Sequence, residues 1–150
     1  MEARHGTYLL SDDPARLDVD AVHAFLRTSY WAAGIPRDVV ARALAGSLCV
    51  GVYAADGAQV GLVRVVTDSA TFAYLCDVYV LEGHRGHGLG KAVIRATLAH
   101  PRLQGLRRLN LVTRDAHGLY AQHGFAAVAH AERYMEKLDP GVYQRANPAT

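Results

Sequence analysis

Residues 84–96 read HRGHGLGKAVIRA, so Gly86, Gly88 and Gly90 alternate between Arg85 and Lys91, immediately ahead of a run with helical apolar spacing. The start of a helix carries backbone N–H groups without intrahelical partners and a partial positive charge, and glycine lets an anion come close to both. Two cations beside such a start favour a phosphate or pyrophosphate over a lone carboxylate. Two nucleotide-binding loops fail on spacing. A Walker A loop needs glycine where Arg85 stands and a hydroxyl residue where Ala92 stands, and a dinucleotide fingerprint needs G-x-G-x-x-G rather than strict alternation. The competing explanation is a tight turn in which the glycines serve packing alone.

Asp77 lies inside the apolar run TFAYLCDVYVL, where an acid asks for a reason. Alternation places Asp77 and Tyr79 on one face of the strand, opposite Cys76, Val78 and Val80. Three roles fit the carboxylate: a general base acting directly or through water, an anchor for a cationic group, or a structural partner for an arginine. Cys49 and Cys76 each sit in apolar strand-like runs, which points to buried reduced thiols rather than a disulfide or a metal site.

The elements that must position these residues follow from periodicity. TYLL (7–10) reads as a strand. Asp18 is a candidate N-cap for a helix over VDAVHAFLRTSYWA that stops near Gly34, and IPRDVVARALAGS restarts a helix with Pro36 in its first turn and Gly46 near its end. LCVGVYA and VGLVRVVT flank Asp56-Gly57, a hairpin signal, and 71–81 supplies a third antiparallel strand. Beyond the glycine loop come a helix to about Ala99, a strand at 107–113, a helix at 116–123 and a strand over FAAVAHAERYMEK, with a short polar tail after about 138. Strand-helix alternation in this half makes the sheet mixed, with a parallel section.

At 150 residues and 51% hydrophobic, the chain suits a single domain with a sizeable core spanning 1–150. A net charge of +2 excludes the polyelectrolyte character that would make nucleic acid the default partner, and Arg102, Arg107 and Arg108 lack the aromatic set that stacks bases. No run approaches a membrane span or a secretory leader, so the expected location is cytoplasmic.

RGHGLG (85–90) resembles the R/Q-x-x-G-x-G/A loop of the GNAT superfamily of acyl-CoA-dependent N-acyltransferases, and AHGLYAQHGF (116–125) is similar to that family's later A-x-x-L-Y-x-x-x-G-F motif. The two stand in the family's order. The resemblance implies an α/β GNAT fold: a mixed central sheet of six to seven strands flanked by about four helices, with a splayed strand pair binding pantetheine. It implies transfer of an acetyl group from acetyl-CoA to a primary amine in a ternary complex; a non-catalytic CoA-binding module of the same fold is the alternative. Val78 and Val80 would present backbone to pantetheine, and the stretch Arg85, Gly86, His87, Gly88, Leu89, Gly90 and Lys91 would hold the pyrophosphate. Tyr120 would protonate the departing thiolate, and Asp77 would serve the amine. Thr113 stands where many members have asparagine, in reach of pantetheine or a water. Tyr30, Trp31 and Tyr79 are the candidate acceptor contacts. The expected partners are a small-molecule or peptide amine and a second copy in a homodimer, with no nucleic acid, membrane or metal.

Overall fold

In the computed structural model the described residues are 1–146, and the chain forms two compact units, Met1–Val112 and a second beginning at Thr113. The first unit holds a sheet of six strands in chain order: β1 (Glu2–His5), β2 (Tyr8–Ser11), β3 (Leu48–Tyr53), β4 (Gln59–Thr67), β5 (Phe72–Val80) and β6 (Arg108–Leu111). All neighbours are antiparallel except β5 and β6. That parallel pair needs a crossover, which α3 (Leu89–Leu98) supplies. Helices α1 (Val19–Leu26) and α2 (Arg37–Ala45) precede β3. The mixed α/β architecture expected from the sequence is present, with six strands.

Every residue of β3 is buried, so both faces of the sheet are covered. Phe25 of α1 stacks on Tyr79 of β5 at 3.8 Å between ring centroids, which places α1 on one face, and α3 packs across β1, β3, β4 and β5. Val22, Val50, Val52, Leu62, Val63, Val65, Val93 and Ile94 have no exposed surface. Each such side chain contributes about 1.5–3 kcal/mol by leaving water.

Local signals explain most boundaries. Asp18 caps α1 as expected, its carboxylate accepting from the Ala21 N–H at 2.9 Å. The helix is shorter than its periodicity suggests. Thr28 and Ser29 hydroxyls donate to the Phe25 and Leu26 carbonyls, and the Gly34 N–H closes onto the Arg27 carbonyl at 2.9 Å. Tyr30 and Trp31 therefore stand in a turn rather than on a helix. Pro36 precedes α2 at its N-cap instead of entering the first turn. β1 was not foreseen, because EARH has no apolar alternation; it forms by pairing with β2.

In the second unit, α4 (His117–Ala121) forms where expected, but the strand expected over 125–137 does not. Arg133 and Tyr134 N–H groups bond to the His130 and Ala131 carbonyls, closing a short 3₁₀ turn through the middle of the run. The tail after 138 is likewise not wholly irregular, since α5 (Val142–Ala146) lies in it.

Candidate active site

The glycine loop joins β5 to α3. Gly86 and Gly88 occupy the left-handed region at φ +82° and +72°, with Gly88 as the N-cap. The first backbone bond of the helix runs from the Ala92 N–H to the Gly88 carbonyl at 3.0 Å, which leaves the Leu89, Gly90 and Lys91 N–H groups without intrahelical partners. Gly90 is informative because its φ is ordinary and a Cβ there would meet nothing within 4 Å. Neither backbone strain nor packing within the chain calls for glycine at that position. Open space above a helix start suits an anion, so this part fits a pyrophosphate. Arg85 and Lys91 are both exposed; the Arg85 Nε donates to the Val80 carbonyl at 3.1 Å.

The loop is braced from the first hairpin. His5 Nε2 lies 2.8 Å from the His87 carbonyl oxygen, and the Tyr8 hydroxyl lies 3.0 Å from His84 Nδ1. The Tyr8 ring also meets His84 edge-on at 5.7 Å. Neither His5 nor Tyr8 was found from sequence, since nothing local links residues about 80 positions away to the loop.

Next to the loop the sheet opens. β5 pairs with β6 only from Phe72↔Arg108 to Leu75↔Leu111, yet stays paired with β4 as far as Val80↔Gly61. Among the described residues, 76–80 are thus paired on one side. The Leu81 N–H bonds to the Val60 carbonyl at 2.8 Å, so by alternation Val78 and Val80 turn their backbone groups toward the open side. An extended arm carrying amides, such as pantetheine, fits such an edge.

Asp77 sits where this opening begins. Arg64 pairs with Cys76 and Leu62 with Tyr79, so β5 contributes one extra residue opposite Val63, a β-bulge, and Asp77 takes φ +49°. This corrects the expected alternation: the extra residue puts Cys76 and Tyr79 on the same side of the sheet. A non-glycine residue in that region costs about 1–3 kcal/mol. Both carboxylate oxygens are engaged, Oδ2 with Arg64 Nε at 2.6 Å and Oδ1 with Trp31 Nε1 at 2.9 Å. Of the three roles open to Asp77, the geometry favours partner of an arginine, because both carboxylate oxygens are already engaged within the chain. Arg64 and Ser47, whose hydroxyl accepts from Arg64 Nη1 at 3.1 Å, were not foreseen.

An aromatic group stands over the pair. Trp31 meets Tyr30 edge-on at 5.0 Å and Phe25 at 6.0 Å, and the two turn residues are 43% and 54% exposed, enough to receive a ligand. Tyr79 lies beneath Phe25, and burial pushes its phenol well above the usual range. Tyr79 is thus a floor residue, while Tyr30 and Trp31 face outward.

In the second unit, Thr113 Oγ1 accepts from the Ala116 N–H at 3.0 Å, just before α4. The Tyr120 ring rests edge-on against Phe125 at 5.9 Å, and the Phe125 N–H bonds back to the Tyr120 carbonyl. Burial raises the thiol of Cys49 to about 12 and that of Cys76 to about 11, which makes both poor nucleophiles. Among the described residues, no group of three metal-ligating side chains occurs and no helix is long and apolar enough to cross a membrane.

The family model of the acetyltransferase (GNAT) domain matches residues 46–127, which include the glycine loop, the bulged strand and Tyr120. A Gibberella zeae protein provisionally named an acetyltransferase is 38% identical, the match covering 79% of this chain and 78% of the relative. The crystal structure of a GNAT-family protein from Xanthomonas campestris pv. campestris, also provisionally named an acetyltransferase, shares 48% identity at a TM-score of 0.87, over 91% of this chain and 96% of the other. A Deinococcus radiodurans structure at 19% identity, TM-score 0.72, covering 96% and 95%, shares the fold. With its loop, its opened strand pair and more than half its length matched, the chain belongs to the GNAT acetyltransferase family.

Proposed function

We propose that this protein transfers an acetyl group from acetyl-CoA to a primary amine by direct attack in a ternary complex. The observation that carries the reading is the one-sided edge of β5 at residues 76–80, which opens beside a helix start suited to a pyrophosphate. Acetyl-CoA, when bound, supplies the acetyl group in activated thioester form. The Leu89, Gly90 and Lys91 N–H groups would hold its pyrophosphate, with Arg85 and Lys91 adding charge and the Gly86, His87 and Gly88 backbone shaping the turn. The Val78 backbone groups and the Val80 N–H would align the pantetheine arm along β5, the Val80 carbonyl being held by the Arg85 Nε, and Thr113 is a further candidate contact.

Tyr120 is the proposed acid: its phenol hydroxyl is a proton donor suited to a thiolate leaving group. Tyr30 and Trp31 would receive the acceptor, their faces attracting an ammonium or an apolar body. The amine then gives its proton to water, because Asp77 is occupied by Arg64 and Trp31. Neither cysteine is suited to an acyl-enzyme, which favours direct attack.

The test is a panel of small-molecule and peptide amines, each incubated with acetyl-CoA and followed by thiol release. Release that depends on one class of amine supports the reading. Thermal stabilisation by acetyl-CoA with no release on any amine would replace it with a non-catalytic CoA-binding module, and no stabilisation at all would remove the cofactor assignment.

A further inference from the structure

Asp77 joins two parts of the molecule that acyl transfer must bring into register. Its backbone forms the left-handed bulge at which β5 leaves β6, and its carboxylate receives the indole N–H of Trp31, which stands half exposed on the aromatic side. What holds the carboxylate is Arg64. The Arg64 side chain is 18% exposed and Asp77 only 9%, so their contact at 2.6 Å is largely shielded from water.

The guanidinium is itself fixed from behind. Its Nη1 donates to the Ser47 hydroxyl at 3.1 Å, and that hydroxyl donates to the Ala43 carbonyl in the last turn of α2. The Arg64 carbonyl also lies 3.5 Å from the Cys76 sulfur, on the residue just before the bulge. A continuous chain of polar contacts therefore runs from α2 through β4 to the bulge of β5 and on to Trp31.

We propose that Arg64 is a positioning residue for acyl transfer: by holding the Asp77 carboxylate it sets both the bulge that opens β5 and the place of the Trp31 indole over the acceptor. The role rests on the transfer reading given above. Lysine cannot reproduce it fully, because an ammonium lacks the planar fork that reaches Asp77 and Ser47 together.

Arg64→Gln and Arg64→Lys test the role beside the wild type, with the amine that the panel identifies. Four quantities are read: thermal midpoint, acetyl-CoA affinity by calorimetry, kcat and acceptor KM, and the emission of Trp31, the single tryptophan of the chain. Arg64→Gln should weaken acetyl-CoA binding only through the pantetheine edge, by less than about tenfold because the pyrophosphate contacts lie outside the network, and lose kcat on the order of 10²-fold through misplacement. Its Trp31 emission should shift as the indole N–H loses a fixed carboxylate, and Arg64→Lys should recover about tenfold of the lost kcat by keeping the charge. Unchanged kcat and KM in folded Arg64→Gln, even with shifted Trp31 emission, would leave the network purely structural and overturn the role. Should the glutamine variant not fold, Arg64→Lys decides: kcat below wild type supports the role, and equal kcat overturns it. A wild-type protein that acetylates no amine fails before any variant is compared, and so removes the transfer reading and this role together.

Discussion

Gly90→Ala should make the protein more stable and a worse binder of acetyl-CoA at once. The glycine lies in the first turn of α3 with an ordinary φ and nothing within 4 Å of a Cβ. Alanine in a helix gains about 0.5–1 kcal/mol over glycine, mostly by reducing the freedom of the unfolded chain. For a chain of this length that gain raises the thermal midpoint by about 1–4 °C. Against this, a methyl group in the open space would hold an anion away from the first-turn N–H groups, and each charge-assisted bond lost costs about 1.5–3 kcal/mol. One such loss weakens acetyl-CoA binding by about 10- to 150-fold. Thermal unfolding with and without acetyl-CoA reads both signs: the free midpoint rises while the ligand-induced increment shrinks. Gly88→Ala is the contrast, because at φ +72° and 3.5 Å from His5 Nε2 it should lower the free midpoint, by about 1–2 kcal/mol of stability. Unchanged acetyl-CoA affinity in Gly90→Ala would refute the idea that this space is kept for a phosphate, and a fall in its free midpoint would show that the chain fills the space itself.

Tyr120→Phe should lower turnover by about 10²-fold or more, the usual contribution of a positioned acid, while acetyl-CoA affinity by calorimetry stays at the wild-type value; equal turnover removes Tyr120 as the acid. At the β4–β5 turn the Thr71 hydroxyl, at 2.6 Å, and the N–H groups of Thr71, Ala70 and Phe72 hold the Asp68 carboxyl well below its ordinary 3.8. A depressed folded value stabilises fully above pH 3.8 and less as pH falls through it, so Asp68→Asn should lower the midpoint at pH 7 and differ progressively less from wild type on acidification. A difference independent of pH would assign the effect to shape instead of charge. Cys49 and Cys76, with thiols raised to about 12 and 11, should resist iodoacetamide at pH 8 in the folded protein and react on unfolding, as counted by mass spectrometry. Prompt labelling of either in the native state would contradict their burial.

What could be read from the sequence was whatever is written locally. The alternating glycines between Arg85 and Lys91 specify a helix start within a few residues, as do Asp18 before α1 and Asp56-Gly57 between β3 and β4, and all three stand where their chemistry predicts. The bulge was hidden because nothing in CDVYV marks Asp77 as left-handed; its conformation accompanies contacts from Arg64, thirteen positions away, and Trp31, forty-six away. A period-two reading therefore put Cys76 on the wrong side. His5 and Tyr8 escaped for a similar reason, since β1 exists through its partner and not through its own pattern. The run 125–137 shows the converse: alternating apolar residues suffice to suggest a strand, but with no strand paired to it among the described residues the backbone bonds locally instead.

The short register between β5 and β6 has a consequence for the protein before it meets any ligand. A strand with its polar backbone groups unpaired along one side is a template for another chain, and natural sheets usually guard such edges with charge or proline. Here the residues next to the opening are Val78, Tyr79 and Val80, with no proline among them, and the charge at the edge is the Arg85 Nε on the Val80 carbonyl, which leaves the Val78 groups and the Val80 N–H to be covered. Whatever occupies that edge therefore acts as a guard as well as a ligand. Hydrogen exchange of the Val78 and Val80 amides would report how often it stands open, and self-association of the empty chain should track that exposure.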